Sequence, residues 1–144
     1  MQTPLITPAE LAASSPAPLV IDLRPTEEYV TGHIPGALHL AVLRSPYAHA
    51  RITAVDVSAA AAMPGVVAAY SGADLASLWG APMPCAWPVT ADMKNPAHYP
   101  LAISKAAYAG DGVACVLATS DAVARDALDA IDVTYEPLAP VIDL

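Results

Sequence analysis

Charge is scarce in this sequence, and positive charge is scarcest: charged residues make up 14% of 144, with six Lys and Arg against fourteen Asp and Glu. The formal net charge of −8 is the wrong sign for a surface that meets phosphates, which argues against nucleic acid as a partner. No stretch of about 18 apolar residues runs without proline or charge, so no membrane span is expected. No Lys or Arg precedes Arg24, so the basic opening of a secretory signal is missing and the expectation is a cytoplasmic chain. Cysteine is nearly absent. Cys85 and Cys115 show neither Cys-x-x-Cys spacing nor a paired histidine motif, which favours free thiols over a zinc site. His33, His39, His49 and His98 fit no ligand spacing either. No catalytic, cofactor-binding or metal-ligating residue is therefore assigned.

What is present points to a small globular fold. Hydrophobic residues reach 56%, too many for a disordered chain, and the length suits one core. Fifteen prolines, against an ordinary share of about 5%, imply many short elements broken by turns.

The expected elements alternate between strand and helix, which gives an α/β or α+β class. Thr7-Pro8-Ala9-Glu10 opens a short helix to about Ala13, and Leu19–Arg24 reads as a buried strand. Pro25–Val30 gives one or two helical turns capped at Gly32, Ile34-Pro35-Gly36 is a turn, and a strand begins at Ala37–Leu40. Ile52–Val57 alternates as a half-buried strand, and an alanine helix from Ser58 stops at Pro64-Gly65. A strand over Val66–Tyr70 and a helix over Ala73–Leu78 follow. Residues 80–100 hold five prolines and one tryptophan, with Trp79 just before them, and show no periodicity, as in a long surface loop or lid. Ala106–Tyr108 and Val113–Thr119 read as strands of a hairpin closed by Gly110-Asp111-Gly112. The clearest element is a helix capped at Ser120 or Asp121. It buries Val123, Ala127 and Ile131, with Ala124 and Leu128 beside them, and a strand over Val133–Tyr135 follows.

Two resemblances meet near residue 40. Ile21-Asp22-Leu23-Arg24, Glu28-Tyr29 and Gly32-His33-Ile34-Pro35-Gly36-Ala37 resemble the first half of a rhodanese-like domain. That resemblance implies sulfur transfer through a persulfidated cysteine, yet the family's Cys-x-x-Gly loop is missing. Cys115 is followed by a helix but lies in the apolar run Val113–Ala118, where a thiol is usually a small core hydrophobe. Cys85 has no cationic neighbour in sequence.

The second resemblance covers residues 41–144. Arg44-Ser45-Pro46-Tyr47-Ala48-His49-Ala50-Arg51-Ile52, Met63-Pro64-Gly65-Val66-Val67, Ser71-Gly72-Ala73-Asp74-Leu75, Pro100-Leu101-Ala102, Tyr108-x-Gly110-Asp111-Gly112-Val113-Ala114 and Val133-x-Tyr135-Glu136-Pro137-Leu138 stand in order. They resemble the α/β hammerhead domain of the molybdenum hydroxylase large subunit, in the xanthine dehydrogenase and aldehyde oxidase family. Met83-Pro84-Cys85-Ala86-Trp87-Pro88 and Asp92-Met93-Lys94-Asn95-Pro96 look most like its aerobic carbon monoxide dehydrogenase branch. Ala106, Ala107 and Ala109 depart from that pattern, where larger or charged side chains are usual.

The resemblance implies a hammerhead-like mixed sheet with short helices, preceded by a truncated rhodanese-like β-α segment, with a boundary at 40/41. It implies molybdopterin in the parent family, held by later domains, so this chain alone is expected to bind no cofactor and to be inactive alone. Its partners would be protein subunits of such an oxidoreductase. Arg44 and His49 are expected to anchor a turn through side-chain hydrogen bonds rather than to act on a substrate. The alternative is a sulfurtransferase-related protein linked to sulfuration of a molybdenum cofactor.

Overall fold

The computed structural model describes residues 21–22, 36–84, 90–94 and 96–140. The expected helices over 7–13 and 25–30, the Gly32 cap, His33, Cys85 and the tail from Val141 lie outside these residues, as does most of the strand over Leu19–Arg24.

In chain order the described elements are β1 (Ile21–Asp22), β2 (Leu38–Arg44), β3 (Ala50–Asp56), α1 (Ser58–Ala61), β4 (Val66–Ser71), α2 (Gly72–Leu75), a 3-10 turn (Ala76–Leu78), β5 (Lys105–Ala106), β6 (Gly112–Ala118), α3 (Asp121–Leu128) and β7 (Asp132–Pro137). They form two small sheets, the mixed α/β architecture of the hammerhead fold. One is four-stranded in the order β1-β2-β6-β4, antiparallel except for the parallel pair β1–β2. The other is the antiparallel sheet β5-β3-β7.

Alternation along the central strand β6 decides where the core sits. Ala114, Val116 and Ala118 are fully buried on the face that receives α3, whose Ala124 and Ala127 are fully buried in turn. Five alanines on that cluster, with Ala60 from α1, let helix and sheet approach closely, and Leu43, Val55, Met63 and Val133 fill its rim. Ser120 caps α3 by accepting the Val123 N–H at 3.3 Å, and Arg125 pairs with Asp121 one turn back at 2.9 Å. Arg125, Asp126 and Asp129 face water, as the periodicity predicts.

The expected hairpin over 106–119 is not formed. β5 pairs with β3 in the three-stranded sheet, while β6 pairs with β2 and β4 in the other. Gly-Asp-Gly is good hairpin chemistry, but here the turn is held from outside. The Gly110 N–H donates to the Ser45 carbonyl at 2.8 Å, and the buried Asp111 carboxylate accepts the Ala107 N–H at 3.0 Å. The chain thus crosses from one sheet to the other at this point. Segment 100–104 ties the same sheets together, with Ala102 N–H bonded to the Gly112 carbonyl at 2.7 Å and the Ser104 carbonyl accepting the Ile52 N–H at 2.9 Å.

The helix expected over Ala73–Leu78 is α2 running into the 3-10 turn. Its entry is a capping box in which Ser71 Oγ accepts the Asp74 N–H, and Asp74 Oδ2 accepts the Ser71 N–H at 2.8 Å. Across the 80–100 loop the described residues are irregular, apart from a bridge in which Met83 N–H donates to the His98 carbonyl at 2.7 Å. No helix of the described residues is long and apolar enough to cross a membrane.

Candidate functional site

The block Arg44-Ser45-Pro46-Tyr47-Ala48-His49 forms the hub where both sheets meet. β2 ends at Arg44, whose guanidinium donates to the Gly110 carbonyl at 2.8 Å. Ser45 is buried, donates its N–H to the Asp111 carbonyl at 2.8 Å, and accepts the Tyr47 N–H on Oγ at 3.1 Å. Pro46 cannot donate, so this Ser-x-Tyr turn is closed by the serine side chain. Tyr47 then reaches Tyr135 on β7, ring centroids 5.0 Å apart. Burial pushes the Tyr135 hydroxyl above its ordinary value, against a hydrogen bond with Ser45 that pulls it down; Tyr47 and Asp111 add to the rise.

His49 completes the hub. Its Nδ1 lies 2.9 Å from the Ala139 carbonyl, and because a carbonyl only accepts, Nδ1 carries the hydrogen in this contact. Arg44 and His49 therefore anchor backbone, as the sequence suggests.

Beside the hub lies a cleft of about 370 Å³, lined by Ala48, His49, Lys105, Ala107, Tyr108, Ala109 and Pro140. Lys105 stands opposite Arg51 across β5 and β3, and Arg51 is bonded to Glu136 on β7 at 2.9 Å. Sequence reasoning missed Lys105 as a site residue. The signal available was the run Ala106-Ala107-Tyr108-Ala109, whose small side chains leave room beside one aromatic ring and one ammonium.

The other residues singled out by sequence are dispersed. Cys115 lies half-buried on β6 between Val42 of β2 and Tyr70 of β4, and burial pushes its thiol up. A raised thiol is a poor nucleophile. His39 sits on β2 opposite Ala118, and the His98 ring lies 5.9 Å from that of Tyr108. Among the described residues no three of His, Cys, Asp and Glu come together to hold a metal. Ser45, Ser71 and Asp111, the buried polar residues, are bonded to the chain itself.

The family profile described as "Aldehyde oxidase and xanthine dehydrogenase, a/b hammerhead domain" matches residues 28–139. The chain is 39% identical over 103 residues to the probable hypoxanthine oxidase XdhD of Escherichia coli (strain K12), covering 72% of this chain and 10% of that protein. It is 37% identical over 110 residues to the carbon monoxide dehydrogenase large chain of Afipia carboxidovorans, covering 76% of this chain and 13% of that one. Among solved structures, quinoline 2-oxidoreductase from Pseudomonas putida 86 superposes with a TM-score of 0.69 at 35% identity, covering 83% of this chain and 16% of that one. The Cu,Mo-CO dehydrogenase superposes at 0.67 with 32% identity, covering 87% and 16%. The chain spans about a tenth of the length of these relatives.

Proposed function

The chain belongs to the aldehyde oxidase and xanthine dehydrogenase family, as its a/b hammerhead domain, and from that premise we propose that it is a non-catalytic module of a carbon monoxide dehydrogenase-type molybdenum hydroxylase large subunit. It folds and packs; it does not turn over substrate alone. The observation that carries this reading is the use of the signature residues. Arg44, Ser45, His49, Ser71, Asp74 and Asp111 each commit a polar side-chain atom to this chain's own backbone or side chains, as residues that hold a fold together do. The parent enzyme's molybdopterin would then lie in parts of the subunit beyond this domain. The test is elemental analysis of the purified chain together with dye-linked oxidation of carbon monoxide, hypoxanthine and an aldehyde. Molybdenum below stoichiometry and no turnover support the module; stoichiometric molybdenum or turnover by the isolated chain would overturn it.

A second reading makes residues 1–40 a rhodanese-like segment and the whole a sulfurtransferase-related chain linked to molybdenum cofactor sulfuration. What favours it is the parallel pairing of Ile21–Asp22 with Leu38–His39, the strand arrangement of a β-crossover-β unit. In this reading the boundary between the two segments stays at 40/41, which falls within β2 (Leu38–Arg44). Thiosulfate-to-cyanide transfer above that of a chain with both cysteines changed to serine would favour this second reading.

A further inference from the structure

The cleft beside His49 holds an ammonium that the packing role does not use. In the row Lys105–Arg51–Glu136 across the three-stranded sheet, the single acid is taken by Arg51 at 2.9 Å, which leaves Lys105 beside a like charge. The nearby Asp111 carboxylate is 3% exposed and bonded to the Ala107 N–H. Among the described residues nothing acidic pairs with Lys105, in a chain whose formal net charge is −8. An uncompensated cation at the mouth of a cavity draws an anion. The rest of the lining is methyl groups, a proline ring and a phenol: Ala48, Ala107, Ala109, Pro140 and Tyr108. Two walls are fixed in advance, because the His49 ring is bonded to the Ala139 carbonyl next to Pro140 and the Ala107 N–H is bonded to Asp111. The volume, about 370 Å³, lies within the range of small-molecule sites.

We infer that this cleft binds a small organic carboxylate, its anionic group on the Lys105 ammonium and its flat apolar body against the Tyr108 ring and the Ala107, Ala109 and Pro140 walls. A carboxylate suits it better than a phosphate, because there is one cation and most of the wall is apolar. The inference stands apart from assembly into a hydroxylase, so either can fail without the other.

The experiment is a two-dimensional amide NMR titration of the full chain with benzoate, benzamide and inorganic phosphate. Benzoate should give saturable shifts at the amides of Ala48, Lys105, Ala107 and Ala109, with benzamide and phosphate much weaker. Lys105→Met should weaken benzoate about tenfold or more, the worth of one charge-assisted contact. Ala109→Leu, which fills the cleft and leaves its charge in place, should abolish the shifts while thermal unfolding stays unchanged. The inference is overturned if benzoate does not saturate, if benzamide or phosphate matches it, or if Lys105→Met binds like the native chain.

Discussion

Gly72 and Ala102 are separated by the width of one missing methyl group: a Cβ on Gly72 would run into the Ala102 carbonyl. That contact seats the first turn of α2 against segment 100–104, the strap that hydrogen-bonds both sheets. The glycine in Ser71-Gly72-Ala73-Asp74-Leu75 is thus set by a close approach of backbone to backbone.

Gly72→Ala should cost about 1–3 kcal/mol in urea unfolding, the range for forcing atoms into a packed site. Gly80, with nothing within 4 Å of its added Cβ, is the control. Gly80→Ala should stay within about 0.5 kcal/mol, as open surface positions do. Equal effects at the two glycines would show that the close approach is not a constraint.

Asp111→Ala removes a carboxylate on a residue that is itself 3% exposed, and takes the acceptor from the Ala107 N–H. The expected loss is about 1–3 kcal/mol, read as a lower urea midpoint at constant slope. Asp111→Asn keeps an acceptor oxygen and should lose less. A silent Asp111→Ala would mean that the crossing between sheets is held without this carboxylate.

The capping box at α2 carries a pH signature. The hydroxyl and N–H of Ser71 hold the Asp74 carboxyl below its ordinary value. A carboxyl lowered in the folded state adds stability above its unfolded value, near 3.9, and loses it as pH falls through the folded one. Ser71→Ala should therefore cost about 1 kcal/mol near neutral pH. The gap in thermal midpoint from the native chain should narrow as pH is lowered below about 4, while the bond from the Asp74 N–H to Ser71 Oγ keeps it from closing. A gap independent of pH would assign the effect to something other than Asp74.

Cys115 should react slowly. In a Cys85→Ser chain, iodoacetamide should label Cys115 more slowly in the folded state than in urea, because burial pushes the thiol up and hides it between Val42 and Tyr70. Equal rates in both states would mean an exposed, ordinary thiol.

Much of the fold is legible where the signal is local. The capped, helically periodic pattern over residues 120–131 specifies α3 (Asp121–Leu128) and its alanine face, the expected strand Ile52–Val57 lies on β3 up to Asp56, and Val133–Tyr135 lies on β7. The misreading came where a local signal competes with a distant one. Gly110-Asp111-Gly112 has the chemistry of a hairpin, but its Gly110 N–H and Asp111 carbonyl go to Ser45, and the partner of β5 is β3, far away in sequence. No turn propensity encodes that choice. At the hub, the residue types of Arg44-Ser45-Pro46-Tyr47 announce a hydrogen-bonded turn, while its partners Gly110, Asp111 and Tyr135 come only from the tertiary fold. Lys105 reads as one lysine among six basic residues until the sheet places it beside Arg51.

The module reading is tested most directly by a graft. Residues 36–140 of this chain would replace the matching hammerhead segment of the Afipia carboxidovorans carbon monoxide dehydrogenase large chain. The same graft from the Hydrogenophaga pseudoflava large chain, which like the Afipia chain is a relative of this one, serves as control. The measurement is molybdenum per assembled enzyme together with carbon monoxide oxidation. A hammerhead that acts through packing should give an assembled, molybdenum-loaded and active enzyme. Failure to assemble where the Hydrogenophaga graft succeeds would contradict it.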